Sequence, residues 1–287
     1  MVQYGTIVIG TVIDQNDSHY FVQYEGLTYA VVKPEVEDLA IGTSVEGMIY
    51  ENKAHKRVMQ VDLPTIRPGV YGWGTVVNVR KDLGVFVDVG LVEKEVVVSL
   101  DDLPENTALW PKREDKLYLT YEVDSKNRFW GKIAEPERMQ KLMQRAPQRL
   151  NNQNIEATVY RVKLAGSLCI TAEGYSGFLH ESEVIDTPRL GQQLQARVIG
   201  VREDGGINLS IKPRAHEALD DDAGMIQALL TKAPRHFLAL HDKSQPDVIQ
   251  AQLGISKAQF KRAVGTLMKQ GIVRQVKGEG IYLNESN

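Results

Sequence analysis

Gly84-Val85-Phe86-Val87-Asp88-Val89 decides the fold. Side chains of an extended strand alternate between faces, so Val85, Val87 and Val89 share one side and Gly84, Phe86 and Asp88 the other. A valine face of this kind belongs in a core. Phe86 is then left outside, beside a carboxylate and a glycine that adds no bulk. Working outward, Tyr71-Gly-Trp-Gly-Thr-Val-Val-Asn-Val79 comes before it, rich in β-formers and with glycines where a strand must bend. Glu95-Val-Val-Val98 and Leu117-Tyr-Leu-Thr-Tyr-Glu-Val123 come after, then Asp124, Arg128, Phe129 and Trp130. Five short strands between residues 68 and 134, with glycine bends and a helical interlude, predict a small closed barrel.

The valine-rich pattern occurs three times. A first copy, residues 1–63, runs through Thr6-Ile-Val-Ile-Gly-Thr-Val-Ile13, Tyr20-Phe-Val-Gln-Tyr24 and Gly42-Thr-Ser-Val-Glu-Gly-Met-Ile-Tyr50 to a last strand near Val58. His19, Tyr20 and Phe21 are read as partly core. Pro64 to Pro68 reads as a short linker to the second copy, 68–134. A third copy, 151–213, holds Gly177-Phe-Leu-His-Glu-Ser-Glu-Val184, Leu194-Gln-Ala-Arg-Val-Ile-Gly-Val201 and Ile207-Asn-Leu-Ser-Ile-Lys212. Between the second and third copies, residues 135–150 read as a helix. Pro136 suits a first helical position, Glu135 and Glu137 suit a helix N-terminus, and Pro147 ends the segment. Arg138, Lys141, Arg145 and Arg149 recur at helical spacing and give it a basic stripe, which on the plainer reading is a solvated face.

Arg214 to Asp222 reads as a charged linker, with Asp220-Asp-Asp222 capping the helix that follows. From Ala223 the period becomes helical. Met225, Leu229 and Leu230 mark one apolar stripe, Pro246 opens a second helix, and Ser256 caps a third, in which Phe260, Ala263, Val264 and Leu267 define a buried face. Ile272-Val-Arg-Gln-Val-Lys277 and Ile281-Tyr-Leu283 then make a hairpin. Residues 223–287 therefore read as a winged helix.

The stretch from Pro68 to Ala134 resembles the RNA-binding barrel repeated in ribosomal protein S1, a member of the oligonucleotide-binding (OB) fold class. The family pattern is Val-x-x-Phe-Gly-Ala-Phe-Val-Asp with a later Asp and Arg on adjoining strands, and Val79, Gly84, Phe86, Val87, Asp88, Asp124 and Arg128 fit it. Leu83 replaces the first family aromatic, and Val98 is read in place of the family histidine, so one aromatic of the stacking platform survives. In the third copy Gly177-Phe-Leu-His-Glu-Ser-Glu-Val184 matches Gly-Leu-Val-His-x-Ser-Glu-Leu, which implies a base-contacting role for His180, although the aromatic positions there read Ala165 and Leu168. Three such barrels, a basic connecting helix and a C-terminal winged helix, in that order, resemble the conserved virulence factor B family. The resemblance implies a bacterial RNA-binding regulator. The expected fold class is mainly β with α: tandem OB-fold, S1-type barrels followed by a winged-helix domain.

Single-strand recognition needs flat side chains for unpaired bases and positive charge along the backbone. Phe86 is the first stacking candidate. The family pattern places Arg128 near the same face, with Asp124 able to orient it or to accept from a base edge. Trp130 and Trp73 are candidates to extend the platform, and Lys81, beside Arg80 in the turn before Phe86, to meet phosphates. In the winged helix, Lys257, Lys261 and Arg262 lie on the helix that reads the major groove in DNA-binding relatives, and Arg274 and Lys277 lie on the hairpin. Acidic residues of the same module, Asp220, Asp221, Asp222, Asp242 and Asp247, nearly offset these charges.

The 287 residues carry 34 Lys and Arg against 37 Asp and Glu, a net charge of −3, which excludes a histone-like polycation but leaves room for local basic grooves. The lone Cys169 excludes an intramolecular disulfide framework and fits a reducing compartment. The N-terminus lacks a basic segment ahead of an apolar stretch, and no run of about 18 apolar residues occurs, so a cytoplasmic protein with no membrane partner is expected. The six histidines show no metal-ligand spacing, and neither a phosphate-cradling Gly-Lys-Ser/Thr loop nor a nucleophile elbow is present. The expectation is a non-enzymatic protein, without metal or cofactor, that binds single-stranded RNA. A winged-helix DNA-binding transcription regulator and a protein-interaction adaptor with degenerate barrels are the alternatives.

Overall fold

The computed structural model describes residues 2–33, 38–213 and 215–284. The threefold pattern becomes three closed five-stranded barrels of one topology. The first uses β1 (Thr6–Gln15), β2 (His19–Tyr24), β3 (Leu27–Val32), β4 (Ser44–Glu51) and β5 (Arg57–Gln60). The second uses β6 (Gly72–Arg80), β7 (Gly84–Asp88), β8 (Val96–Ser99), β9 (Lys116–Val123) and β10 (Phe129–Ile133). After a short helix, α1 (Pro136–Gln140), the third uses β11 (Asn154–Lys163), β12 (Gly166–Thr171), β13 (Ser176–His180), β14 (Gln193–Val201) and β15 (Ile207–Ser210). In each barrel the fifth strand closes the sheet between the third, to which it runs parallel, and the fourth.

Strand alternation fills the interiors. Val85, Val87 and Val89 are buried while Phe86 is half-buried and Asp88 exposed. Each first strand is bulged at the same place, between Val12 and Asp14, Val76 and Asn78, and Val159 and Arg161, which bends it enough to pair on both sides. Gly84 and Gly166 open the second strands of the later barrels at φ +133° and +144°, where a Cβ would stand 2.0 Å from the Val98 carbonyl oxygen and 2.4 Å from that of Leu179. Only glycine permits that approach. Tandem barrels and a winged helix are thus the architecture expected from sequence.

The chain divides into two compact units, residues 1–211 and 212–287. Within the first, barrels one and two share a continuous core, in which Tyr29, Met48 and Tyr50 join Val76, Tyr121 and Phe129. The Tyr50 hydroxyl lies 3.0 Å from the Val92 carbonyl, and the Tyr121 hydroxyl 3.3 Å from Met48 Sδ. The segment read as a linker, Pro64 to Pro68, belongs to this core, because Ile66 is buried against Gly72. The third barrel docks on the second through the loop before β14. Arg189 donates to both oxygens of Asp115, Nε at 2.7 Å and Nη2 at 2.9 Å, and the Lys116 N–H donates to Gly191 O at 2.9 Å. Cys169 is buried in the third barrel, and burial pushes its thiol up to about 12, so it is an inert packing residue.

The basic helix expected over 135–150 is cut short at Gln140. Beyond it the chain pairs with the hairpin ends of the third barrel, the Gln144 N–H on Gly174 O at 2.8 Å and the Ala146 N–H on Gly205 O at 2.9 Å. Pro147 favours extended backbone at Ala146, and those carbonyls reward it. No stripe forms: Arg138 lies over the Tyr71 ring at 4.7 Å, and Arg145 Nη2 donates to Glu203 O at 2.5 Å.

The second unit holds α2 (Ala215–Lys232), β16 (Phe237–Leu238), α3 (Pro246–Leu253), α4 (Lys257–Lys269), β17 (Val273–Val276) and β18 (Gly280–Leu283). The linker expected at 214–222 is helical from Ala215, since alanine, leucine and glutamate there are strong helix formers. Asp220, Asp221 and Asp222 therefore fall inside α2 and not at its start, while Arg214 lies outside the described residues. The buried stripe of α2 is Ala223, Ile226 and Leu230, with Leu229 exposed. Ser256 forms the capping box with Gln259, and Phe260, Ala263, Val264 and Leu267 are buried as their spacing requires. Trypsin is expected to cut between the units after Arg214, and thermolysin, whose apolar cleavage sites include Met225, Ile226, Leu229 and Leu230, to leave the helical stretch 221–232 intact. Mass spectrometry of the fragments checks this, and first cleavage by thermolysin inside that stretch would contradict a preformed helix.

Candidate nucleic-acid interface

Three outward side chains line up across the second barrel. Phe86 on β7 stands opposite Val97 on β8, and Val97 stands opposite Trp130 on β10. Together with Leu83, Arg128, Lys94 and Lys53 they border a cavity of about 300 Å³. Its floor is flat and apolar and its rim is largely cationic.

Asp124 organises the rim. One carboxylate oxygen accepts the backbone N–H groups of Lys126 and Arg128 at 2.8 and 2.9 Å; the other accepts Arg128 Nε at 2.7 Å and Trp130 Nε1 at 3.1 Å. The Arg128 backbone N–H, then the side chains of Arg128 and Trp130, hold the Asp124 carboxyl well below the usual carboxylate range against the opposing effect of burial. Four donors occupy the carboxylate, so it orients its neighbours and has little capacity left for a base edge. The Arg128 guanidinium lies 5.2 Å from the Trp130 ring centroid.

Two lysines complete the rim, neither singled out from sequence. Lys94 lies over Phe129 at 4.3 Å and donates to the Glu51 carbonyl, and burial draws its ammonium below the ordinary lysine range. Lys53 comes from the first barrel and pairs with Glu95. Only the shared core of barrels one and two brings Lys53 here, so no local pattern could have found it.

The same outward row reads Phe21, Ala30, Val58 in the first barrel and Leu168, Phe178, Asn208 in the third. The register also corrects the histidine assignment. His180 pairs with Gly166 and caps the turn Glu181–Glu183; in the second barrel Ser99 pairs with Gly84 and caps Leu100–Asp102. Ser99, not Val98, is the counterpart, and Val98 is fully buried in the core. His180 is exposed on the third barrel, where Nδ1 accepts the Ser182 N–H at 3.1 Å and the ring meets Phe178 edge-on at 6.0 Å.

Other expected residues lie apart from this cavity. Trp73, 41% exposed, meets the Tyr118 ring at a tilt, 5.2 Å between centroids, and lines a separate cavity between the second and third barrels, so it does not extend the Phe86 platform. It stands at the start of β6 opposite Tyr118 on β9, whereas Phe86 stands opposite Asn78 near the other end of that strand. Lys81 is exposed and borders a third depression, beside Lys112 and Arg113, while Arg80 is neutralised by Asp82 at 2.6 Å. In the second unit, Lys261 and Arg262 are exposed on α4, Lys257 is half-buried at its start, and Lys277 is exposed beyond β17. Among the described residues these four have no ion-pair partner. Arg274 lies over Tyr282 at 4.6 Å. No group of three or more metal-ligating side chains occurs among the described residues, and no helix among them is long and apolar enough to cross a membrane.

Four family profiles match the chain in succession: "S1 domain" over residues 4–61, "CvfB first S1-like domain" over 71–132, "Virulence regulatory factor CvfB, second domain" over 139–213 and "CvfB-like winged helix domain" over 224–283. The chain is 38% identical to the uncharacterized protein YitL of Bacillus subtilis, over 92% of this chain and 88% of that one. It is 37% identical to conserved virulence factor B of Staphylococcus epidermidis, over 83% and 79%. A solved structure described as a multidomain protein with nucleic acid binding domains from Streptococcus pneumoniae aligns over 98% of both chains, with 47% identity and a TM-score of 0.72.

Proposed function

The chain belongs to the conserved virulence factor B family, and from that premise we propose that it is a cytoplasmic, non-catalytic regulator that binds single-stranded RNA through its barrels, with the winged helix assisting, in post-transcriptional gene control. The observation that carries this reading is the row Phe86, Val97 and Trp130 bordered by Arg128, Lys94 and Lys53. A flat apolar strip accepts a base of any sequence, and cations beside it track a phosphate backbone. Arg128 and Trp130, both held by Asp124, are preorganised for stacking, which limits the ordering cost of binding. The relative described as carrying nucleic acid binding domains supports the broader class. Phe178 and His180 offer a smaller contact on the third barrel, and Lys81 a phosphate contact.

The unpaired cations Lys257, Lys261, Arg262 and Lys277 fit a general electrostatic role for the winged helix. Filter binding of matched single-stranded RNA, single-stranded DNA and duplex DNA tests the whole reading. Single strands should bind in preference to duplex. Charge reversal at Lys257, Lys261 and Arg262 should flatten the dependence of log affinity on log salt, by about 0.7 for each phosphate no longer neutralised, with the order of RNA preferences unchanged. Loss of duplex DNA binding with RNA binding intact would favour a DNA-binding transcription regulator. No nucleic-acid binding at all would favour an adaptor.

A further inference from the structure

Trp73 has no place in the Phe86 site, yet its setting is specific. Its indole is 41% exposed, meets the Tyr118 ring at 5.2 Å with the two planes inclined by 53°, and forms part of the wall of a cavity of about 460 Å³ between the second and third barrels. Leu142 and Ile170 supply apolar lining, while Glu173, Gln144 and Lys116 supply polar lining together with Glu156, whose carboxylate accepts from Gln193 and Gln195. The Trp73 ring N–H, the Glu173 carboxylate and the Gln144 side-chain amide have no hydrogen-bond partner among the described residues. Lys116 Nζ donates to Thr75 Oγ1 at 2.7 Å and keeps two further protons for an anion.

We propose that this inter-barrel cavity is a guanine subsite in which Trp73 stacks the base and Glu173 reads its Watson–Crick edge. An ionised carboxylate only accepts hydrogen bonds. Guanine presents two adjacent donors there, the ring N1–H and the exocyclic N2 amino group, and so matches both carboxylate oxygens at once. Adenine and cytosine offer one amino group flanked by a ring acceptor, and uracil one imino group between two carbonyls; each sets a lone pair against the carboxylate. The Gln144 amide can donate to guanine O6, and Lys116 can meet a phosphate. The site deepens the single-strand reading by naming a base, and rests on that reading only for the source of the guanine, a strand or a free nucleotide.

Isothermal titration of the full chain with the four ribonucleoside monophosphates tests the chemistry. Guanosine monophosphate should bind most tightly, by about tenfold or more, since a hydrogen bond to a charged group is involved. Glu173→Gln should remove that preference, Trp73→Ala should weaken binding at least about tenfold, Trp73→Phe should restore part of it, and Phe86→Ala should leave it unchanged. Melting midpoints of the variants separate loss of the site from loss of the fold. Equal binding of the four nucleotides, no measurable binding, or a guanosine affinity indifferent to Glu173→Gln would overturn the assignment. Oligouridylates with and without one guanosine then identify the source. A guanosine advantage that disappears in Glu173→Gln points to a strand, and an advantage confined to the mononucleotide points to a free nucleotide. Guanosine monophosphate binding in a protein that binds no RNA would leave this site standing while the RNA reading fails. Loss of guanosine monophosphate binding on Phe86→Ala but not on Trp73→Ala would remove this site alone.

Discussion

Phe86→Ala should cost roughly 1–3 kcal/mol of single-stranded RNA affinity, the worth of one stacked base. Phe86 is the flat side chain of the cavity at the joint of barrels one and two that no hydrogen bond or cation holds, and Val97 and Trp130 continue its surface. It lies outside the buried core, so removing it sacrifices little buried area and the melting midpoint should move little. A core phenylalanine would cost about 3–5 kcal/mol of stability instead, with binding lost only through unfolding. Midpoint and RNA dissociation constant measured on one preparation distinguish the two. A large fall in the midpoint, or an unchanged dissociation constant, would remove the main structural support for RNA binding by this barrel.

The second large effect is on stability. Arg189→Ala should destabilise the first unit by about 3 kcal/mol, because it leaves the nearly buried Asp115 carboxylate without its bidentate partner. Among the described residues the Asp115 carboxylate then keeps the Lys112 N–H alone, at 2.6 Å. Arg189→Lys should recover part of the loss, since a point charge cannot reproduce the fork. Asp115→Asn on the Arg189→Ala background should also recover part, by removing the orphaned charge. Urea unfolding of these variants and of Asp115→Asn alone closes the cycle and measures the coupling. A loss under about 1 kcal/mol would place the pair among solvent-screened surface contacts and leave the apolar cluster of Tyr71, Tyr118, Met139, Tyr160 and Ile170, with Leu190 and the backbone bonds to Leu109 and Gly191, as the main ties between barrels two and three.

Local pattern settled what depends on local physics. A period of two put Val85, Val87 and Val89 inside and Phe86 outside, and the capping box at Ser256 with the 3.6 period of Phe260, Ala263, Val264 and Leu267 fixed a helix and its buried face. The repeat of the pattern specified three barrels before any contact was known. Assignments that needed register were less secure: Val98 stood for Ser99, because a one-residue slip moves a side chain from surface to core. Helix extent departed from the local pattern in both directions. Residues 141–146 gave up helix for carbonyls on a barrel distant in sequence, and 215–222 became helical where charge density had suggested a linker.

The composition of the candidate sites is a tertiary fact. Lys53 reaches the Phe86 cavity only because barrels one and two bury a common core, and Trp73 falls outside it because it stands at the other end of β6, beside the third barrel. The sequence by itself determined the two faces of the central strand of the second barrel, with Val85, Val87 and Val89 inside and Phe86 outside. Docking of the barrels decided which outward side chains meet, since burial between modules depends on surfaces that no single module's periodicity records.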